Sequence, residues 1–252
     1  WKAGGDLFQN ITPNLTASLT VNTDFAETEA DDRQVNLTRF PLFYPEKRSF
    51  FLEGAGIFEA ASLGSSNSDL LPFYSRRIGL LRGEEVPILA GLKVSGRVGR
   101  WNVGLLDTVT GSVEDLGLGR ENLLAARVSR NLFRQSFVGG FLTHGNPSGA
   151  GDNTLAGVDA RFATSSFRGG ENLSLDLYAF FTDDGASGRS GHAFGGKLDY
   201  PNDLWDAALT FKQIDDDFRP ALGFVRRTGI RKTNAKVDFM PRPGRAGVRQ
   251  LF

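Results

Sequence analysis

Apolar and polar residues alternate with a period of two in runs that recur about every ten residues, from Leu15 to roughly Phe239. Leu15, Ala17, Leu19 and Val21 alternate with Thr16, Ser18, Thr20 and Asn22. Ile88, Ala90, Leu92, Val94, Gly96 and Val98 alternate with Leu89, Gly91, Lys93, Ser95 and Arg97, and Trp101, Val103 and Leu105 follow at once. Gly99-Arg100 then reads as a two-residue hairpin turn that sets Val98 opposite Trp101. The same alternation gives Leu124, Ala126 and Val128 against Arg127 and Ser129, and Ala156, Val158, Ala160 and Phe162 against Asp159 and Arg161. It continues with Leu173 to Phe181 against Asn172, Ser174, Asp176 and Tyr178, with Trp205 to Phe211, and with a closing run near Thr233–Phe239. About eleven or twelve strands are predicted, each with one apolar and one polar side.

The connections add a second rhythm. Residues 10–14, 99–100, 132–135, 165–170 and 201–203 are short, and they alternate with longer stretches at 23–86, 111–120, 145–152, 183–190 and 214–222. In an antiparallel meander this puts tight turns at one end and loops at the other, as in outer-membrane barrels. Trp101, Phe133, Phe137, Phe162, Tyr200 and Trp205 cluster beside the short turns, where an interfacial aromatic girdle belongs. The expected fold is therefore all-β: an antiparallel up-and-down transmembrane β-barrel, partial, of about 12 strands or more, with one long inserted segment. A soluble β-sandwich also alternates, but Greek-key crossovers break the short–long rhythm.

Composition narrows the function classes. Among 252 residues, Lys plus Arg and Asp plus Glu are 29 each, so the formal net charge is zero and no basic stripe points to nucleic acid. No cysteine is present, which excludes disulfides, thiolate metal sites and thiol nucleophiles. No apolar run approaches the roughly 18 residues of a membrane helix. Trp1-Lys2-Ala3-Gly4-Gly5 does not resemble a leader, so the chain reads as a mature segment or a fragment within 1–252.

The connection 23–86 breaks the meander. It opens with Asp24, Glu27, Glu29, Asp31 and Asp32, whose spacing suits a solvated acidic loop better than a calcium loop. It is rich in Phe and Pro, and structureless loops of that length are uncommon in compact domains. Glu46, Lys47, Arg48 and Glu53 are expected to form an ion-paired network pinning the segment to polar walls, with Arg76 and Arg77 as further members. Residues 40–54 are expected to fold inward and narrow a pore.

The run from Val21 to Asp31, then Asn36-Leu37-Thr38-Arg39-Phe40, then Phe43-Tyr44-Pro45-Glu46-Lys47-Arg48-Ser49-Phe50-Phe51-Leu52-Glu53-Gly54 resembles the signature of a bacterial family of unknown function. Phe73-Tyr74-Ser75-Arg76-Arg77-Ile78-Gly79 and the stretch from Leu222 to Arg231 are similar to later blocks of that family, whereas Thr23 stands where it usually has proline. In that family a predicted outer-membrane barrel follows a periplasmic domain like family 9 carbohydrate-binding modules. The resemblance implies that this module and some barrel strands lie outside the chain.

Chemistry is sparse. His144 and His192 are the two histidines, and no serine-hydrolase elbow, phosphate loop, dinucleotide fingerprint or zinc-protease motif is present. No catalytic residue, cofactor or metal ligand is assigned, and the chain is not read as an enzyme; a barrel hydrolase is the least favoured alternative. The leading expectation is an outer-membrane pore or transporter for glycans or other small solutes. Its lumen would be lined by Lys93, Arg97, Arg127, Asp159, Arg161 and Asp176, together with Lys197, Asp199 and Lys212. The alternative is a non-conducting anchor or receptor for a periplasmic binding domain. The expected partners are the lipid bilayer and, beyond it, an oligosaccharide or a periplasmic or surface protein, at the bacterial cell outer membrane.

Overall fold

A computed structural model describes residues 4–23, 36, 38–61, 63 and 69–242. The acidic run 24–32 lies outside the described residues. Eleven strands form one antiparallel sheet in which sequence neighbours are spatial neighbours throughout. They are β1 (Gly5–Thr12), β2 (Leu15–Thr23), β3 (Ile88–Val98), β4 (Trp101–Thr110), β5 (Glu121–Leu132) and β6 (Ser136–His144). Then follow β7 (Asn153–Phe167), β8 (Glu171–Asp184), β9 (Arg189–Pro201), β10 (Trp205–Ile214) and β11 (Ile230–Phe239). Among the described residues the sheet is open, with β1 and β11 as its two edges.

Strands of 10 to 15 residues in β7 to β11 exceed the mode of about 5–6 in globular sheets. Val98 pairs with Trp101, as the Gly99-Arg100 turn requires. Tight connections at 13–14, 99–100, 133–135, 168–170 and 202–204 share one end of the sheet. At the other end, residues 24–87, 111–120, 145–152 and 215–229 make longer excursions. The connection expected at 183–190 shrinks to 185–188, because β8 and β9 stay paired out to Asp184 and Arg189.

The two faces differ sharply. On one, Leu92, Val128, Val158, Leu177, Phe181 and Leu209 stand exposed, several at around half their full area (Val158 59%, Phe181 51%, Leu209 50%). The opposite side carries Ser18, Thr20, Lys93, Arg127, Asp159 and Asp176, all buried. What buries them is the described part of the long connection, within 38–61 and 69–87, which lies across that side. The two sides are called here the bare face and the covered face.

Two details of the alternation differ from expectation. A bulge between Ile88 and Ala90 turns Ile88 onto the covered face, where it is 2% exposed, so it does not share a side with Leu92. Phe137 pairs with Asn131 and Arg161 and borders the same cavity as Arg127 and Asp159. It lies on the covered face and is no part of an aromatic row on the bare one.

The covering segment is held mainly by apolar burial. Phe50, Phe51, Phe58, Ala60, Leu70 and Ile78 pack with Leu106, Leu123, Phe141, Leu155, Tyr178 and Phe180 of the sheet. Each fully buried side chain of this kind contributes roughly 1.5–3 kcal/mol, whereas an ion pair in such a setting comes close to balancing its own desolvation. The aromatic cluster therefore dominates the attachment. The second long connection joins it: Phe218 and Leu222 enter the same core, and Leu70-Leu71 pairs antiparallel with Phe224-Val225.

Candidate functional site

The covered face divides into two halves along the strands. Toward the longer connections it is apolar and occupied by the segment just described. Toward the tight turns it is polar and charged, and the two halves meet at a cavity of about 380 Å³. Gly56, Ile57, Glu59, Ala60 and Ala61 border this cavity from the covering segment, and Asn102, Arg127, Ser129, Asn131, Asp159, Arg161 and Asp176 border it from the sheet.

The charges form a row of alternating sign. Arg161 faces Asp176 directly across β7 and β8, and Asp176 faces Lys197 across β8 and β9. Arg161 Nη1 donates to Asp176 Oδ1 at 3.0 Å, and Lys197 Nζ donates to Asp199 Oδ2 at 2.8 Å. Arg127 of β5 must reach over β6 to meet Asp159 of β7, and Nη2 donates to Oδ2 at 2.7 Å. Gly139 makes this reach sterically available: a Cβ there would sit 2.8 Å from Asp159 Oδ1 and 3.1 Å from Ser129 Cβ. Both partners are about 5% exposed, and Arg127 Nη1 and Asp159 Oδ1 remain without a hydrogen-bond partner. This buried pair thus leaves one donor and one acceptor unsatisfied at the wall of the cavity.

The residues expected to pin the covering segment separate into two knots. One is internal to the segment. Arg48, itself 7% exposed, donates from Nε and Nη2 to the two oxygens of Glu46 at 2.8 and 2.7 Å. It also donates to the carbonyls of Ile78 at 2.6 Å and Ser75 at 2.9 Å, and its guanidinium lies 4.2 Å from the Phe51 ring centre. Ser75 Oγ adds a bond to Glu46 at 2.6 Å. Burial alone would raise the Glu46 carboxyl, but the hydrogen bonds and charge of Arg48 outweigh it and hold the group below its ordinary value. Tyr74 is pushed upward by burial, and its hydroxyl donates to the Tyr44 carbonyl at 2.5 Å.

The other knot joins segment to sheet. Lys93, 2% exposed, donates to the carbonyls of Phe50 and, at 2.7 Å, Glu53, with the Glu53 carboxylate 3.9 Å away. These carbonyls close the single helical turn Ser49–Leu52 and Gly54 follows it with φ 68°, so Lys93 caps a chain reversal at the wall. Ser18 Oγ donates to the same Glu53 at 3.3 Å. Lys47 stays in the first knot through its backbone N–H, which donates to Glu46 at 3.0 Å.

Arg76 donates to the Pro45 carbonyl at 3.0 Å, Arg77 ties the segment to Gly223 of the second connection at 3.2 Å, and Lys212 pairs with Asp69. Arg97 does not join the charged row: it is exposed at the tight-turn end and bends back to the Gly99 carbonyl at 3.0 Å. Asn102, Ser129 and Asn131 complete the polar half. Ser129 is on the polar side that alternation assigns it, but uncharged polar residues on a strand carry little signal of a site.

The histidines sit apart from this region, on the bare face at the loop end. His144 Nδ1 lies 2.9 Å from Thr154 Oγ1, and His192 Nδ1 lies 2.5 Å from Asp215 Oδ2. Ser190 bonds to Asp183 at 3.0 Å rather than to either ring. Among the described residues no group of three or more His, Asp or Glu side chains is placed to hold a metal.

Residues 1–116 match the model of a family described as "Domain of unknown function (DUF5916)". That stretch contains β1 to β4 and the whole covering segment. No curated protein and no solved structure matches the chain.

Proposed function

We propose that this chain is the wall of a bacterial outer-membrane β-barrel, and that the covering segment is a plug controlling passage of small polar solutes along the charged row. The observation that carries the reading is the bare face. Soluble monomers seldom expose a contiguous apolar patch above a few hundred Å², yet here Leu19, Leu92, Trp101, Val128, Val138, Val158, Leu177, Phe194 and Leu209 stand exposed on nine successive strands. The charges gather on the opposite side, as expected of strands with lipid on one side and water on the other. Trp101, Phe162, Tyr200 and Trp205 lie on the bare face near the tight turns, and Phe133 protrudes from its turn at 89% exposure. Such a row suits a membrane–water boundary.

The row of mixed sign favours neutral or zwitterionic solutes over either simple ion. The resemblance to a family whose barrel follows a carbohydrate-module-like domain makes oligosaccharides the class to test first. A non-conducting anchor for a periplasmic binding domain is the second reading, and it is favoured by the apolar filling of the loop-side half. Conductance in planar bilayers discriminates the two: solute-dependent current supports the transporter, and silence even after the plug is loosened supports the anchor.

The membrane placement itself has a direct test. With Trp1→Phe, the remaining indoles are Trp101 and Trp205. In vesicles both should be strongly quenched by phospholipids brominated near the headgroup and weakly by aqueous acrylamide. The opposite ranking would remove the membrane reading.

Asp107 offers a second check. It lies on the bare face between Leu92 and Leu124, and one carboxylate oxygen is buried without a hydrogen-bond partner. Asp107→Leu should stabilise the vesicle-folded protein toward urea by about 1–3 kcal/mol. A loss of stability would mean that the acid has a partner the membrane reading does not supply.

A further inference from the structure

Four covered-face cations are neutralised by carboxylates of the chain: Arg127 by Asp159, Arg161 by Asp176, Lys197 by Asp199 and Lys212 by Asp69. Arg130 is different. It belongs to the bare face, with Trp101 and Val138 as its cross-strand neighbours. Its guanidinium lies 5.3 Å from the Trp101 ring centre, and among the described residues no carboxylate pairs with it. An unpaired cation on an apolar face is costly unless it reaches a compensating charge.

Arg130 and Trp101 stand at one end of a hollow of about 1170 Å³. The hollow exists because Gly140, Ala160 and Gly196 leave the sheet surface low while Leu177 and its neighbours rise beside them. Among the described residues Arg130 is the one charged side chain that faces it. Asp159 and Lys197 also border it, but their charged ends turn to the covered face. The volume exceeds most small-molecule pockets, and the walls offer little to a polar solute.

Given the membrane placement proposed above, we infer that this hollow seats one phospholipid of the leaflet next to the tight turns. The phosphate sits on the Arg130 guanidinium beside Trp101, and an acyl chain lies over Gly140, Ala160 and Gly196. The guanidinium fork suits phosphate oxygens, and its other face already stacks on the indole. An anion would compensate the Arg130 charge, for which the protein supplies no carboxylate among the described residues, and the adjoining hollow is apolar in the direction the lipid tail must take. Charge and shape thus specify the same occupant.

The test uses the full chain folded into phosphatidylcholine vesicles containing phosphatidylglycerol, extracted in mild detergent and weighed by native mass spectrometry. One retained phospholipid per chain is expected. Arg130→Gln should lower retention about tenfold, the loss of a charge-assisted hydrogen bond. Ala160→Phe, which fills the hollow and leaves Arg130 in place, should lower it as well. Arg168→Gln, which removes another tight-turn arginine stacked on an aromatic ring, should leave it unchanged. No retained lipid, equal retention by Arg130→Gln, or equal loss with Arg168→Gln overturns the proposal. Indole quenching by brominated lipid separates the cases: unquenched Trp101 and Trp205 sink the membrane placement, whereas quenched indoles without selective retention sink only the lipid seat.

Discussion

Replacing Arg48 with alanine should release the covering segment from its own fold, at a cost of about 3–5 kcal/mol. The guanidinium makes two bonds to Glu46 and one each to the carbonyls of Ser75 and Ile78, all within 2.9 Å. Without it, two carbonyls lose their donor and Glu46 keeps a charge with no counter-ion. Lysine should rescue little, since a single ammonium cannot meet four acceptors spread around a planar fork. Hydrogen exchange should show faster exchange over 40–61 and 70–86 with sheet amides unchanged; wild-type protection there would refute the assignment. The same pair sets an acid limit. The Glu46 carboxyl is lowered in the folded state, so its stabilising contribution is complete above the unfolded value of 4.5 and is lost as pH falls through the lower folded value. The exchange of 40–61 should therefore accelerate in that acid window in the wild type, and the step should vanish in Arg48→Ala.

Asp159→Ala should be comparably damaging, also about 3–5 kcal/mol, because it strands the Arg127 charge at about 5% exposure. The double replacement Arg127→Met with Asp159→Leu should recover most of that loss, since two desolvated charges are exchanged for packing. A double-mutant cycle from urea unfolding measures the coupling. Additive losses would show that the pair does not interact. Gly139→Val tests the same contact from between the strands: its Cβ must displace Asp159 Oδ1 or Ser129 Cβ, so the pair should break with both charged residues still present. If the row orients solutes, these variants should change solute selectivity more than total flux.

The faces of the strands were legible because alternation is a local property of the chain. Leu124, Ala126 and Val128 were assigned to one side and Arg127 and Ser129 to the other, and the register agrees. Ile88 was misplaced because one bulge reverses parity, and the sequence does not mark where a strand inserts a residue. Phe137 stands beside a turn as the girdle aromatics do, but its parity with Gly139 and Phe141 puts it on the covered face.

The apolar half of the covered face has a visible signature in the sequence. Leu105-Leu106, Leu123-Leu124, Phe141-Leu142 and Phe180-Phe181 are adjacent apolar pairs within alternating strands. Such doublets mark strands buried on both sides, and here the second side is buried by the covering segment. The candidate site was half legible. Its charges could be named from their side of each strand. The Arg127–Asp159 bond could not, because it skips a strand and depends on Gly139 having no side chain.

The ladder between Leu70-Leu71 and Phe224-Val225 has a consequence for biogenesis. Asp69 meets Lys212, and Arg77 meets Gly223, across separations of 143 and 146 residues. The covering segment thus receives these fastenings from residues that leave the ribosome 143 and 146 positions later. Closing so long a chain loop makes this a slow, late event in maturation. Until then Phe50, Phe58 and Ile78 lack part of the packing that shields them, which lengthens the interval in which an incompletely assembled chain exposes apolar surface.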